Sequence, residues 1–170
     1  SLSTRTTHPY FIGMIQELFN NLGFGVRLIN PYQFMTKGQM VSNCKDSKML
    51  SEIVDLTVSC SHWKRKNQQC GYCVPCMIRR AALMKGTLKE SISYHHASYP
   101  TLRDFVKNKQ DGRDDVIAVT VALDKSKKIN LKSWVLKSGK LKFEDLDKYE
   151  QVFSDGLLEV EDFLKKEKVI

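Results

Sequence analysis

Residues 60–76 read CSHWKRKNQQCGYCVPC, and the four cysteines in that stretch, Cys60, Cys70, Cys73 and Cys76, set the terms for the rest of the chain. Two Cys-x-x-Cys pairs share Cys73, so a tight turn at Gly71 and Tyr72 can aim several sulfurs at one point. The loop leaving Cys60 can fold back to supply the remaining ligand. This is the donor set of a tetrahedral thiolate site, with structural Zn(II) as the leading reading. Thiols this close in sequence seldom all form disulfides without strain, so a metal explains the pattern better than disulfides or free thiols. An iron–sulfur cluster is the other metal reading.

A chain of 170 residues is one domain, or a domain plus an appendage, and it can bury a real core. With 42% hydrophobic and 27% charged residues it reads as soluble and globular. No apolar run reaches the length of a membrane span, and Ser1-Leu2-Ser3-Thr4-Arg5 lacks the zones of a signal peptide. The expectation is a cytoplasmic protein with reduced thiols and no membrane partner, in which the fifth cysteine, Cys44, is a buried free thiol. The net charge of +8 is uneven: residues 1–99 hold 12 Lys and Arg against 5 Asp and Glu, and the remainder 15 against 14. The cationic excess sits with the cysteines, where Lys64, Arg65, Lys66, Arg79, Arg80, Lys85 and Lys89 would offset a tetrathiolate centre or attract an anion. A solvated basic surface explains any single lysine equally well.

Working outward, Tyr10–Leu22 places Phe11, Ile12, Ile15, Leu18, Phe19 and Leu22 on one helical stripe. The apolar run Val26–Ile29, closed by Asn30-Pro31, predicts a short buried strand of an open sheet, with a binding region beyond its end at residues 30–37. Thr36 and Gln39 form a capping-box pattern. Lys48–Val58 has helical spacing, and so does Met77–Leu88, which puts the last two cysteines at the start of a helix where the dipole favours thiolate. His62 is a spare donor beside an already full set of four. Beyond about residue 95 the pattern is evenly charged and helical, with breaks at Tyr99-Pro100, Asp111-Gly112 and Ser138-Gly139. Residues 114–124 alternate like a strand but open with Asp114 and Asp115; helix is the expectation. An amphipathic closing helix at Leu157–Leu164 should dock on the first part.

Four blocks carry a family resemblance: residues 3–9 (STRTTHP), Asn30-Pro31 with Thr36-Lys37-Gly38-Gln39-Met40, residues 57–62 (TVSCSH) and residues 70–82 (CGYCVPCMIRRAA). Together they resemble the QueC family of 7-cyano-7-deazaguanine synthases in queuosine biosynthesis, and are similar in particular to the QueC-like branch of anti-phage Qat defence operons (QatC). The likeness spans residues 3–86. It implies a PP-loop ATPase with a Rossmann-like core and a structural zinc held by cysteines placed as Cys60, Cys70, Cys73 and Cys76 are here. It also implies ligase chemistry: ATP adenylates the carboxylate of 7-carboxy-7-deazaguanine, ammonia displaces AMP to give an amide, and a second round yields the nitrile. The expected fold is α/β, predominantly helical: the C-terminal part of that core with a four-cysteine zinc knuckle in residues 1–95, and a helical extension in residues 96–170.

By the same resemblance Arg5, Thr6, Thr7, His8, Thr36 and Lys37 lie near the substrate or nucleotide cleft, Lys37 as a charged clamp or simply a helix-surface lysine. Arg79 and Arg80 follow the knuckle, about 100° apart on a helix, so that one would face the cleft and the other solvent. No residue is singled out as catalytic. Nine residues separate Cys60 from Cys70, slightly more than in the synthases, which a loop absorbs. A larger departure is that no Gly-Gly pair exists for a pyrophosphate-binding PP-loop. The chain is therefore expected to be a C-terminal portion whose partner is the missing N-terminal PP-loop part, with ATP and Mg(II) used only by the whole enzyme. Rival readings are a zinc-knuckle module binding nucleic acid through the basic half with Trp63 and Tyr72, and an interaction domain for a defence-complex protein or a homodimer.

Overall fold

The computed structural model describes residues 7–108 and 113–170, leaving aside the side chains of Arg65, Lys66 and Arg113. The expectations on Arg5, Thr6 and the Asp111-Gly112 break lie outside the described residues. Proline in a first helical turn sacrifices no hydrogen bond, and two helices open that way: α1 (Pro9–Asn21) and α5 (Val74–Lys85). Between them lie α2 (Lys37–Ser42), α3 (Ser47–Ile53) continued by a 3-10 turn at Val54–Leu56, and α4 (Trp63–Lys66) within the cysteine loop. Then come α6 (Leu102–Asn108), α7 (Arg113–Ser126), α8 (Leu131–Leu136) and the long α9 (Leu146–Lys166).

The described residues form no strand, which corrects the expectation of a β element at Val26–Ile29. A strand needs a neighbour to accept its backbone groups. Here Gln16 on α1 takes that place: its side chain donates to the Val26 carbonyl at 2.8 Å and accepts from the Leu28 N–H at 2.7 Å. The helical part of the expected fold is present, and a Rossmann-like sheet is not among the described residues. α1 forms where its periodicity puts it, but no residue of it is buried, and Phe11, Leu18 and Leu22 stand exposed with Val26 and Ile29.

α5 is the central element, packed against α2 on one side and α9 on the other. The buried cluster joins Met77 and Ala81 of α5 to Leu102 and Phe105 of α6, Val116 and Leu123 of α7, and Phe163 and Leu164 of α9, together with the knuckle cysteines. Residues 114–124 are helical, as expected; Val116 and Leu123, seven apart, are buried while Ile117 and Val121 face out, a helical rather than a strand alternation. Cys44 is half-buried rather than buried, and its thiol points to the Asp46 carbonyl at 3.4 Å. No helix among the described residues is long and apolar enough to cross a membrane.

α9 is tied to α2 by side chains. The capping box of Thr36 and Gln39 is present. Glu159 accepts from Thr36 Oγ1 at 2.5 Å and from the Gly38 N–H at 3.2 Å, and Asp155 accepts from Gln39 Nε2 at 3.2 Å. A Cβ on Gly38 would collide with the Glu159 carboxylate. Gly38→Ala should displace that carboxylate and lower unfolding free energy by about 1–2 kcal/mol, the scale of two lost hydrogen bonds. Glu159→Ala should cost a similar amount in chemical denaturation, with the double variant little worse than either single one.

Candidate metal centre

Cys73 ends the Cys70 turn and is the N-cap of α5, so Cys76 falls in the first helical turn, as the spacing predicts. Gly71 has φ +81°, and a Cβ there would collide with the His96 ring, so the turn that aims the sulfurs requires glycine. All four cysteines are buried and none is in a disulfide. The donor atoms of Cys60, His62, Cys70 and Cys73 lie within 4.8 Å of one another. Cys76 Sγ lies 3.9 Å from Cys70 Sγ. Two sulfurs on one tetrahedral zinc, each about 2.3 Å from it, stand about 3.8 Å apart.

Backbone N–H groups point at these sulfurs. Cys60 Sγ accepts from His62 at 3.3 Å and from Cys70 at 3.2 Å, and Cys70 Sγ accepts from Cys73 at 3.3 Å. Such donors favour the thiolate form and fix ligand orientation. The Cys73 thiol is held well below its ordinary range, first by its hydrogen bond with Cys70 and then by that with Cys76. Cys70 is pushed up to about 12, chiefly by its hydrogen bond with Cys73, and Cys76 is also pushed up, chiefly by its hydrogen bond with Cys70. The thiols thus compete for charge, and a divalent cation is what allows them to ionise together. Buried thiols at ligand spacing fit a metal ion, and a further buried donor is left over: His62 Nδ1 has no hydrogen-bond partner among the described residues. His62, the spare donor of the sequence, is brought by the fold into the cluster, within 4.8 Å of Cys60, Cys70 and Cys73 donor atoms.

Protein groups engage both arginines of the knuckle helix, Arg79 buried and Arg80 half-buried on the wall of a second cavity. Arg79 is buried and donates to Glu90 Oε1, Thr57 Oγ1 and the Val54 carbonyl, each at 2.6 Å. Arg80 donates to the Gly71 carbonyl at 3.2 Å and to Glu167 at 2.7 Å, with its guanidinium 4.7 Å from the Phe163 ring. The reason is that α5 is covered on two sides, so positions 100° apart both meet protein. Arg80 also reaches His96 Nε2 at 3.2 Å, and burial, then the Arg80 charge, lowers the His96 pKa. Tyr94, bonded to Glu90, is pushed up by burial and then by that carboxylate. Tyr72 is buried and stacks on Phe105 at 4.7 Å between ring centroids, so it offers no face to a nucleic-acid base.

The remaining expected site residues part company. Thr7 is exposed. His8 caps α1, its Nδ1 accepting from the Tyr10 N–H at 3.2 Å and its Nε2 lying 3.4 Å from Ser138 Oγ. His8, Thr36 and Lys37 do come together, on the wall of one cavity of about 710 Å³. The donors Thr36 Oγ1 and Gly38 N–H at its edge are already occupied by Glu159, a residue with no local sequence signal of such a role.

Against known proteins, residues 7–87 match the family described as "Queuosine biosynthesis protein QueC". The chain is 29% identical over 92 residues to a 7-cyano-7-deazaguanine synthase of Stenotrophomonas maltophilia (strain K279a). Both matches support a QueC-like family. The second covers 51% of this chain and 40% of that relative's length. No solved structure matches the chain.

Two measurements check this centre. Elemental analysis should find about one zinc per chain, without the brown absorption of an iron–sulfur cluster, and Co(II) exchange should give thiolate charge-transfer bands. Cys70→Ser or Cys73→Ser should lose the metal and lower Tm, and comparing Cys76→Ser with His62→Ala identifies the fourth ligand. Separately, Arg79→Met leaves Glu90, whose side chain is 9% exposed, with the Tyr94 hydroxyl but without its countercharge, and should cost about 3–5 kcal/mol of stability in denaturant titration.

Proposed function

We propose that this chain is the zinc-bearing C-terminal portion of a QueC-like ATP-dependent ligase. The observation that carries the reading is that the buried thiol cluster at residues 60–76 falls inside the stretch that matches the QueC family, residues 7–87. In this reading Cys60, Cys70, Cys73 and Cys76 hold a structural Zn(II); the 3.9 Å separation of Cys70 and Cys76 fits shared ligation, while the set of donor atoms lying within 4.8 Å of one another has His62 in place of Cys76. When bound, zinc joins the Cys60 loop to the start of α5 and does no chemistry on substrate.

The reaction belongs to the whole enzyme. A 7-carboxy-7-deazaguanine-type acid attacks ATP to give an acyl-adenylate and pyrophosphate, and ammonia then displaces AMP to give the amide. A second ATP activates the amide oxygen, and loss of that oxygen with AMP leaves the nitrile. The PP-loop and the sheet that carries it come from the remainder of the polypeptide. The exposed apolar side chains of α1, Phe11, Leu18 and Leu22, with Val26 and Ile29, support that reading: they are the surface such a remainder would cover. Within the family, the defence-linked QatC branch is the finer assignment, where a deazaguanine acid would be joined to a protein.

The chain alone should release no AMP from ATP in the presence of 7-carboxy-7-deazaguanine, whereas a polypeptide that includes the PP-loop part should do so. AMP release by this chain by itself would overturn the proposal. Mass spectrometry of co-expressed partner proteins for a deazaguanine adduct tests the QatC assignment.

A further inference from the structure

The 710 Å³ cavity is separate from the cysteine cluster, although α5 borders both: Cys73 and Cys76 turn to the thiols while Val74 and Met77 turn to the cavity. Its walls are apolar, built by Val119 of α7, Trp134 of α8, Leu141, and Phe153 and Leu157 of α9. Several of these are only half-buried, and α8 has no fully buried residue at all, so α7, α8 and α9 hold a space open instead of closing on it. The volume is that of a small-molecule site, about 300–1,000 Å³.

Gly156 gives a second, independent sign. It stands inside the 21-residue α9, where glycine weakens a helix. Close packing does not demand it, because a Cβ there would have only Thr36 Cγ2, at 4.0 Å, as a neighbour. Its missing side chain enlarges the cavity it lines. At the rim the exposed Lys37 and Lys137 line the same space, and neither is in an ion pair within the described residues. Glu159, held by Thr36 Oγ1 and the Gly38 N–H, is the opposing charge on this lining; Lys37 and Lys137 outnumber it and leave the rim net cationic.

We infer that this cavity binds an amphiphilic monocarboxylate, its apolar body between α7, α8 and α9 and its carboxylate at Lys37 and Lys137. The site does not depend on the ligase reading, and an apolar chain distinguishes its ligand from a hydrogen-bonding deazapurine.

Decanoate is a suitable probe, with decanol as its uncharged counterpart, titrated calorimetrically into the metal-loaded chain. Decanoate should bind saturably with one molecule per chain. Gly156→Leu fills the cavity while improving the helix, so it should abolish binding without lowering Tm. Lys37→Gln should weaken decanoate about threefold, the scale of an exposed charge pair, and leave decanol unchanged. Absence of saturable binding, or binding undiminished in Gly156→Leu, would overturn the proposal. Equal affinity for decanol and decanoate would overturn it too, since the cavity would then take any apolar surface, such as side chains of another polypeptide.

Discussion

Buried thiols set a few ångströms apart, with a neutral imidazole beside them, cannot ionise together unless a cation holds them. The N-terminus of α5 is where that constraint is met, because Cys73 caps the helix and Cys76 lies in its first turn. Everything around the knuckle follows from fixing this helix end. Gly71 makes the turn, His96 sits where a side chain at Gly71 would otherwise be and meets the Cys70 carbonyl, and Arg80 reaches back to the Gly71 carbonyl. The backbone of the metal loop is thus braced by groups from two later segments, as the outer shell of a metal site usually is.

α9 does the complementary work at longer range. Near its middle, Asp155 and Glu159 hold the α2 cap, and just beyond its end Glu167 meets both Arg80 and the Leu102 N–H, at 2.7 and 2.8 Å. One helix therefore bridges the segment after residue 30, the knuckle helix and the start of α6. These contacts give half-buried charges well-placed partners, which offsets the cost of taking them partly out of water.

The apolar surface of α1 and the run after it contrasts with this well-braced half. An amphipathic helix whose stripe is left uncovered gains little from packing and owes its helicity to local terms: the His8 cap, the proline at its start and the Gln16 bonds to the Val26–Leu28 backbone. The contrast sets a packed body around the cysteine knuckle against an edge whose apolar side chains stand exposed.

Local signals were legible wherever the physics is local. Ligand spacing announced the thiol cluster, the Thr36–Gln39 pattern announced its capping box, and periodicity placed α1, α5 and the second half of α9, because metal geometry, helix caps and a 3.6-residue repeat all act over a few positions. The Val26–Ile29 run looked like a strand because its composition suits one, but a strand exists only with a partner, and composition does not supply a partner. Arg79 and Arg80 turned inward, His62 joined the cluster, and Glu159 took the donors beside Lys37, the last across 121 positions of chain. The sequence by itself determined which residues can ligate, cap and pack; which of them meet was decided by the way α5 and α9 lie against each other, since contacts between distant segments depend on the packing of whole faces.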